Sequence, residues 1–260
     1  MSTHRFGEFG RNVSRRVAIV TGGGSGLGQA ICQRLSSQGR PVGVLDVDGD
    51  AAEREAASLR ASGGEAIAVA ADVADRKAID GAFQRVRTAL GPITILVTSA
   101  AVSGFVAFED LNREDWSRSL AINLTGTFDC IQAAIGDMVA SRWGRIVTIS
   151  SSAGQTGSLR QAHYSASKGG VIALTKTVAL EYASRGITAN TIPPFSVDTP
   201  MLRAAQHAGL IPGSDALAKA IPVGRIGTTE EIAAMCGFLC SEDASYVTGQ
   251  VIGVNGGAVR

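Results

Sequence analysis

The chain has 260 residues, 45% of them hydrophobic, and 24 lysines and arginines stand against 23 aspartates and glutamates. That is enough apolar content for a substantial core in one or two domains, and a net charge of +1 argues against a nucleic-acid surface or an anionic-membrane anchor. No apolar run reaches the ~18 residues of a membrane span. Residues 1–14 are polar, lack the apolar core of a secretory signal and read as a flexible lead-in to a single domain over 15–260. The cysteines Cys32, Cys130, Cys236 and Cys240 form no Cys-x-x-Cys pair and have no histidine nearby. They are expected to be small buried side chains in a reducing cytoplasm, with no metal.

Along the chain, short apolar runs alternate with amphipathic stretches. The runs cover 17–20, 42–45, 66–69, 93–97, 146–149, 187–190 and 251–254, and helical patterns cover 26–38, 50–62, 75–90, 112–141, 163–185 and 228–240. Near-continuous apolar runs suit strands buried on both faces. The alternation predicts an α/β fold: a doubly wound parallel sheet of about seven strands, with helices on both faces and right-handed crossovers.

After the first run comes Thr21-Gly22-Gly23-Gly24-Ser25-Gly26-Leu27-Gly28, which opens the first helix. Glycines there permit a tight turn and close backbone approach to a pyrophosphate, and the helix start offers free N–H groups. The same residues also suit a merely flexible turn. Asp46 ends the second run, 18 residues after Gly28, where a carboxylate can accept hydrogen bonds from adenosine ribose hydroxyls. It would repel the extra phosphate of NADP; no basic residue adjoins it, and Ser25 stands where an arginine could bind that phosphate. NAD is therefore the expected cofactor. Asp48 is the fallback for the ribose contact, but it lies further into the turn and reads as a cap for the next helix. Asp72-Val73, after the third run, suits an adenine contact or, equally, a cap for the next helix.

Asn123 lies within an apolar stretch of the long fourth helical segment, where a buried amide needs partners. Ser151 follows the fifth run, at the carboxyl end where such sheets gather ligands. Thirteen residues later come Tyr164 and, four further on, Lys168. On a helix these share a face. An ammonium beside a phenol is expected to lower the tyrosine pKa from ~10 and fit it for proton transfer. Residues 193–223 break the rhythm with five prolines among scattered apolar residues. They read as a flap over substrate or as a packed surface loop.

Together, Thr21–Gly28, Asp72-Val73, Asn123, Ser151, Tyr164-x-x-x-Lys168, the segment from Pro222 to Ile232 and the closing Val254-Asn255-Gly256-Gly257 make the chain resemble a short-chain dehydrogenase/reductase of the single-domain, NAD-dependent type, from Val17 to Gly257. The resemblance implies a Rossmann-like fold and hydride transfer between NAD(H) and a secondary alcohol or ketone, with an apolar hydroxy compound or hydroxyacyl thioester as candidate substrate. By position, Tyr164 would be the general acid/base, Ser151 would orient the reacting oxygen, Lys168 would tune Tyr164 and bind the nicotinamide ribose, and Asn123 would hold a backbone kink and a relay water. Gly22, Ser25, Gly26, Leu27, Gly28, Asp46, Asp72, Val73, Ala100, Tyr164, Lys168, Val197 and Thr199 would contact the cofactor. Relatives pair as homotetramers through the fourth and fifth helical segments and the last strand. Two positions depart from the family pattern. Ala101 replaces a glycine, and Phe195 follows Pro194 where glycine is usual; Phe195 would wall the pocket or pack under the flap. An NADPH-dependent 3-oxoacyl thioester reductase and a catalytically silent dinucleotide-sensing scaffold are the alternatives.

Overall fold

The computed structural model describes residues 15–260; the lead-in 1–14 lies outside the described residues. Six of the apolar runs become strands: β1 (Val17–Thr21), β2 (Val42–Asp46), β3 (Ala66–Ala70), β4 (Ile93–Thr98), β5 (Gly144–Ile149) and β6 (Ile187–Ile192). They pair in parallel in the order β3-β2-β1-β4-β5-β6. The helices are α1 (Gly26–Ser37), α2 (Gly49–Ala61), α3 (Arg76–Leu90), α4 (Arg113–Leu120), α5 (Gly126–Ser141), α6 (Ala153–Thr156), α7 (Ala162–Tyr182), α8 (Pro200–His207), α9 (Ser214–Ala218) and α10 (Thr229–Leu239).

Every residue of β1, β4, β5 and β6 is buried, so the sheet needs cover on both faces. Alternation along β1 divides the core: Ala18 and Val20 pack with Leu35, Leu59, Ile232 and Cys236, while Val17 and Ile19 pack with Phe83, Val86, Ile131 and Met138. All four cysteines are buried and unpaired, as expected. Local chemistry sets the helix starts. Asp48 Oδ1 accepts from Ala51 N (3.0 Å), Asp75 Oδ1 from Lys77 N (2.8 Å), and Thr228 with Glu231 forms a capping box.

The expected seventh strand is a correction. Residues 251–254 make one bridge, Val251 to Thr191, with hydrogen bonds from Thr191 N to Gln250 O (3.0 Å) and from Ile252 N to Thr191 O (2.9 Å). A ladder cannot continue because β6 runs into Pro193 and Pro194, which have no N–H to donate. Beyond Ile252 the chain turns at Gly256 and Gly257 (φ +63° and +85°), and Gly256 O accepts from Val223 N (3.1 Å) instead.

The unbroken helix over 112–141 is also corrected. A π-helical turn, Ala121–Thr125, separates α4 from α5 and contains Asn123. Thr127 Oγ1 donates to Asn123 O (2.8 Å), which satisfies a carbonyl inside the widened turn.

Because the strand order reverses between β1 and β4, a crevice opens above their carboxyl ends. A cleft of about 850 Å³ lies there, extending from Asp72 at one end to the segment around α8 and α9 at the other.

Candidate active site

The cofactor half of the cleft is built on backbone approach. Gly22 sits at φ +66°, and a Cβ there would lie 2.9 Å from Ala100 Cα. A Cβ on Gly28 would lie 2.0 Å from Gly22 O, so α1 can start under this turn only with glycine at that position. Thr21 Oγ1 accepts from both Ser99 N and Ala100 N (3.1 Å each), which fixes the loop after β4 against the turn. Ser25 is the N-cap of α1 but its side chain makes no capping bond. Its hydroxyl and the first N–H groups of α1 are thereby left for an anion.

Asp46 is held by two backbone donors, Gly24 N to Oδ2 (2.9 Å) and Asp48 N to Oδ1 (3.0 Å). Each carboxylate oxygen keeps a further lone pair for a hydroxyl donor. Asp75, not Asp72, caps α3; Asp72 accepts from Ala74 N (2.9 Å) and lines the cleft with Val73. Ala101 costs no strain: Arg142 and Arg160 alone among the described non-glycine residues have positive φ.

The chemical half is assembled by β5 and α7. Ser150 Oγ donates to Lys168 O (2.8 Å) and ties the strand end to the helix, leaving Ser151 to line the cleft beside Tyr164. Lys168, 3% exposed, donates from Nζ to Ile149 O (2.8 Å). An ammonium carries three donors, and Lys168 shows no other acceptor among the described residues. A buried cation with donors to spare, lining the same cleft as the glycine turn, fits the hydroxyl-rich ribose of a dinucleotide.

The electrostatics correct one expectation. Burial pushes the Tyr164 phenol above its usual value, with the Ser151 hydroxyl, as hydrogen-bond partner, pulling the other way. Burial is the larger effect: although Lys168 Nζ lies 5.9 Å from the ring centroid, the phenol ends above its usual value, and burial draws the ammonium itself down to about 8. In the protein alone, burial disfavours the charged form of both groups.

Every expected site residue except Asn123 lines the cleft. Asn123 is fully buried behind it. Its Oδ1 accepts from Val102 N (2.8 Å), and its Nδ2 donates to Val102 O (2.9 Å) and Ser167 Oγ (3.0 Å). It clamps the loop after β4 onto α7.

Residues of the 193–223 segment, from Pro194 to Leu217, supply part of the cleft lining, and the segment contains two helices that the proline content concealed. Thr199 Oγ1 caps α8 by accepting from Leu202 N (3.2 Å), with Pro200 in the first turn; a Thr-Pro helix start was readable in the sequence. Phe195 lines the cleft and is 36% exposed, which favours a pocket wall over a buried packing role. Sequence reasoning missed Ser103, Ser158, Gln161 and Arg118, which also line it. Of these, only Gln161 carried a signal, three residues before Tyr164. No helix of the described residues is long and apolar enough to cross a membrane.

Comparison with known proteins agrees with this geometry. A family model described as enoyl-(acyl carrier protein) reductase matches residues 22–259. Acetoacetyl-CoA reductase of Cupriavidus necator is 37% identical over 94% of this chain and 98% of its own. The 2-dehydro-3-deoxy-L-rhamnonate dehydrogenase (NAD(+)) of Sphingomonas sp. is 36% identical over 96% of this chain and 97% of its own. The crystal structure of gox2181 superposes with a TM-score of 0.89 at 33% identity, over 94% of this chain and 95% of that one. The chain belongs to the short-chain dehydrogenase/reductase family, oxidoreductases that act on CH–OH groups with a nicotinamide dinucleotide.

Proposed function

We propose that this protein transfers hydride between NAD(H) and a secondary alcohol or ketone of apolar character, with hydroxyacyl thioesters as candidate substrates. The observation that carries the reading is the convergence of Ser151, Tyr164 and Lys168 on the same cleft as the glycine turn and Asp46. When bound, the nicotinamide supplies the hydride acceptor or donor. The chain's own residues do the rest. Tyr164 Oη takes the proton of the substrate hydroxyl in oxidation and returns one to the carbonyl oxygen in reduction. Ser151 orients that oxygen, and Lys168 holds the ribose with its unused N–H groups. Asn123 acts from behind, as a positioning residue for the loop at Val102.

NAD, rather than NADP, is supported by the held carboxylate of Asp46 and by the cations of the cleft. Arg118 and Lys168 are the two that line it among the described residues, and Lys168 is tied to Ile149 O at the end of β5. Initial rates should favour NAD⁺ over NADP⁺ by roughly 100-fold in kcat/KM, since a carboxylate against a phosphate costs several kcal/mol. Asp46→Ser should shrink that ratio at least tenfold by raising the NADP⁺ rate; a wild-type preference for NADP⁺ overturns the assignment. The alternative, an NADPH-dependent 3-oxoacyl thioester reductase, draws support from the thioester named in the Cupriavidus relative. The same rates separate the two.

Phe195→Ala should lower kcat/KM for an apolar ketone about tenfold through KM, the effect of losing ~1.4 kcal/mol of apolar contact. Unchanged KM and substrate preference would remove Phe195 from the pocket. We further infer a single dinucleotide-binding and catalytic domain over 15–260, with the substrate flap at 193–223. A cytoplasmic setting is supported by four buried, unpaired cysteines. A homotetramer paired through α4–α5 and α7 is supported by Phe128 and Leu180, which are 44% and 85% exposed on α5 and α7.

A further inference from the structure

Three polar residues outside the catalytic set form a directed hydrogen-bond chain along the cleft. Ser158 Oγ donates to Gln161 Oε1 (2.7 Å), and Gln161 Nε2 donates to Ser103 Oγ (2.8 Å). All three line the cleft that holds Ser151 and Tyr164. Gln161 is 7% exposed and occupies the N-cap position of α7, yet its side chain makes no capping bond. The amide is committed instead to bridging the loop after β4 and the turn before α7. That bridge is reinforced at Arg160, whose backbone sits in the left-handed region (φ +59°). Arg160 O accepts from Val106 N (2.7 Å), and Arg160 Nη2 donates to Phe105 O (3.3 Å). A non-glycine residue held at positive φ marks a conformation that its surroundings enforce.

The direction of the chain decides what it can do. A hydroxyl has one donor and two acceptor sites. With Gln161 Nε2 donating to it, Ser103 Oγ keeps its own proton, and that proton has no acceptor among the described residues. Ser103 is exposed to the cleft, so the free donor is presented there. Resting on the proposed function, we infer that Ser103 is a specificity-determining hydrogen-bond donor to a second oxygen of the substrate, one beyond the oxygen that Tyr164 and Ser151 hold. Gln161 is the positioning residue that fixes this polarity. The substrate class narrows accordingly to hydroxy or oxo compounds with a nearby carbonyl acceptor, such as the thioester carbonyl of a 3-oxoacyl group. A site built to hydrogen-bond a substrate oxygen discriminates strongly against an analogue lacking it.

The test compares ethyl acetoacetate with 2-heptanone, a ketone of the same backbone length without the ester, each reduced with NADH. Wild-type protein should favour the ester in kcat/KM by at least about tenfold, the effect of one hydrogen bond. Ser103→Ala should cut the ester's kcat/KM about tenfold more than the ketone's, and Ser103→Thr, which keeps the hydroxyl, should retain the preference. Gln161→Glu makes the stronger case. An ionised carboxylate can only accept, so Ser103 must donate to it and loses its donor to substrate; assayed where the carboxylate is ionised, this near-isosteric variant should reproduce the Ser103→Ala ratio. A merely structural role would lower both substrates equally. Equal losses in the variants, or no wild-type preference, overturn the inference. No turnover of either ketone with NADH sinks the proposed function itself, and this inference with it.

Discussion

Tyr164→Phe is expected to lower kcat by roughly 10³-fold, within the 10²–10⁴ range of positioned acid–base groups, while NADH binding stays within about twofold of wild type. The substitution removes one oxygen from a side chain on the first turn of α7, and the ring keeps its packing. The raised phenol pKa adds a sign to the test. At neutral pH Tyr164 is protonated and ready to donate to a carbonyl oxygen, so wild-type reduction should be flat or falling as pH increases. Oxidation needs the phenolate, so its rate should climb with pH toward the displaced pKa. The phenylalanine variant should lose that climb. Retained oxidation rates with an unchanged pH profile would remove Tyr164 from proton transfer; the silent-scaffold alternative predicts instead dinucleotide binding with no turnover in wild type or variant.

Lys168→Met is expected to separate catalysis from stability. Activity should fall about 10²-fold, with weaker NADH binding, as the ribose loses its ammonium partner. Stability of the protein without cofactor should move the other way. Burial takes the Lys168 pKa from 10.5 to about 8, so between those values the unfolded chain binds more protons than the folded one. Wild-type stability therefore rises with pH through this window, and the penalty for the buried charge is fully present below about pH 8. A shift of that size corresponds to about 3 kcal/mol. Against it stands the hydrogen bond to Ile149 O, whose loss leaves a carbonyl unpaired at a cost of about 1–2 kcal/mol. The net gain for the methionine variant at pH 7 is about 1–2 kcal/mol, a rise of a few degrees in Tm for a chain of this length. By pH 10.5 the advantage should have vanished and reversed. Thermal unfolding of both proteins at the two pH values checks this. A variant less stable than wild type by the same amount at both would show that burial imposes no charge penalty on Lys168. A buried ammonium with one acceptor is a poor choice for stability, and its retention in the cleft fits a group whose remaining donors serve the cofactor.

Much of this architecture was written into local sequence. Apolar periodicity located six strands and the main helices, because burial on both faces demands continuous apolar runs wherever a strand lies in the sheet interior. The glycine turn, Asp46, Ser151, Tyr164 and Lys168 were legible because each is a residue type with a short list of uses at that place in a βα unit. What depended on partners far along the chain was not. Whether 251–254 forms a strand is decided by Pro193 and Pro194, which follow the neighbouring β6, some sixty residues away in sequence. Asn123 was visible as an amide needing partners, but its clamp on Val102 and Ser167 exists only after α7 docks.

The sign of the Tyr164 shift was misjudged for the same reason. Four-residue spacing guarantees a shared helix face, but it fixes neither the 5.9 Å separation nor the burial that outweighs it. Desolvation is a property of everything packed around a group, and no local window contains it. Ser103 and Gln161 stand 58 residues apart and meet because the sheet brings the loop after β4 beside the start of α7. The sequence by itself determined the fold class and the chemistry on offer. The tertiary structure decided the protonation balance and the direction of the hydrogen bonds that face the substrate, since both arise from contacts between segments that only the folded sheet aligns.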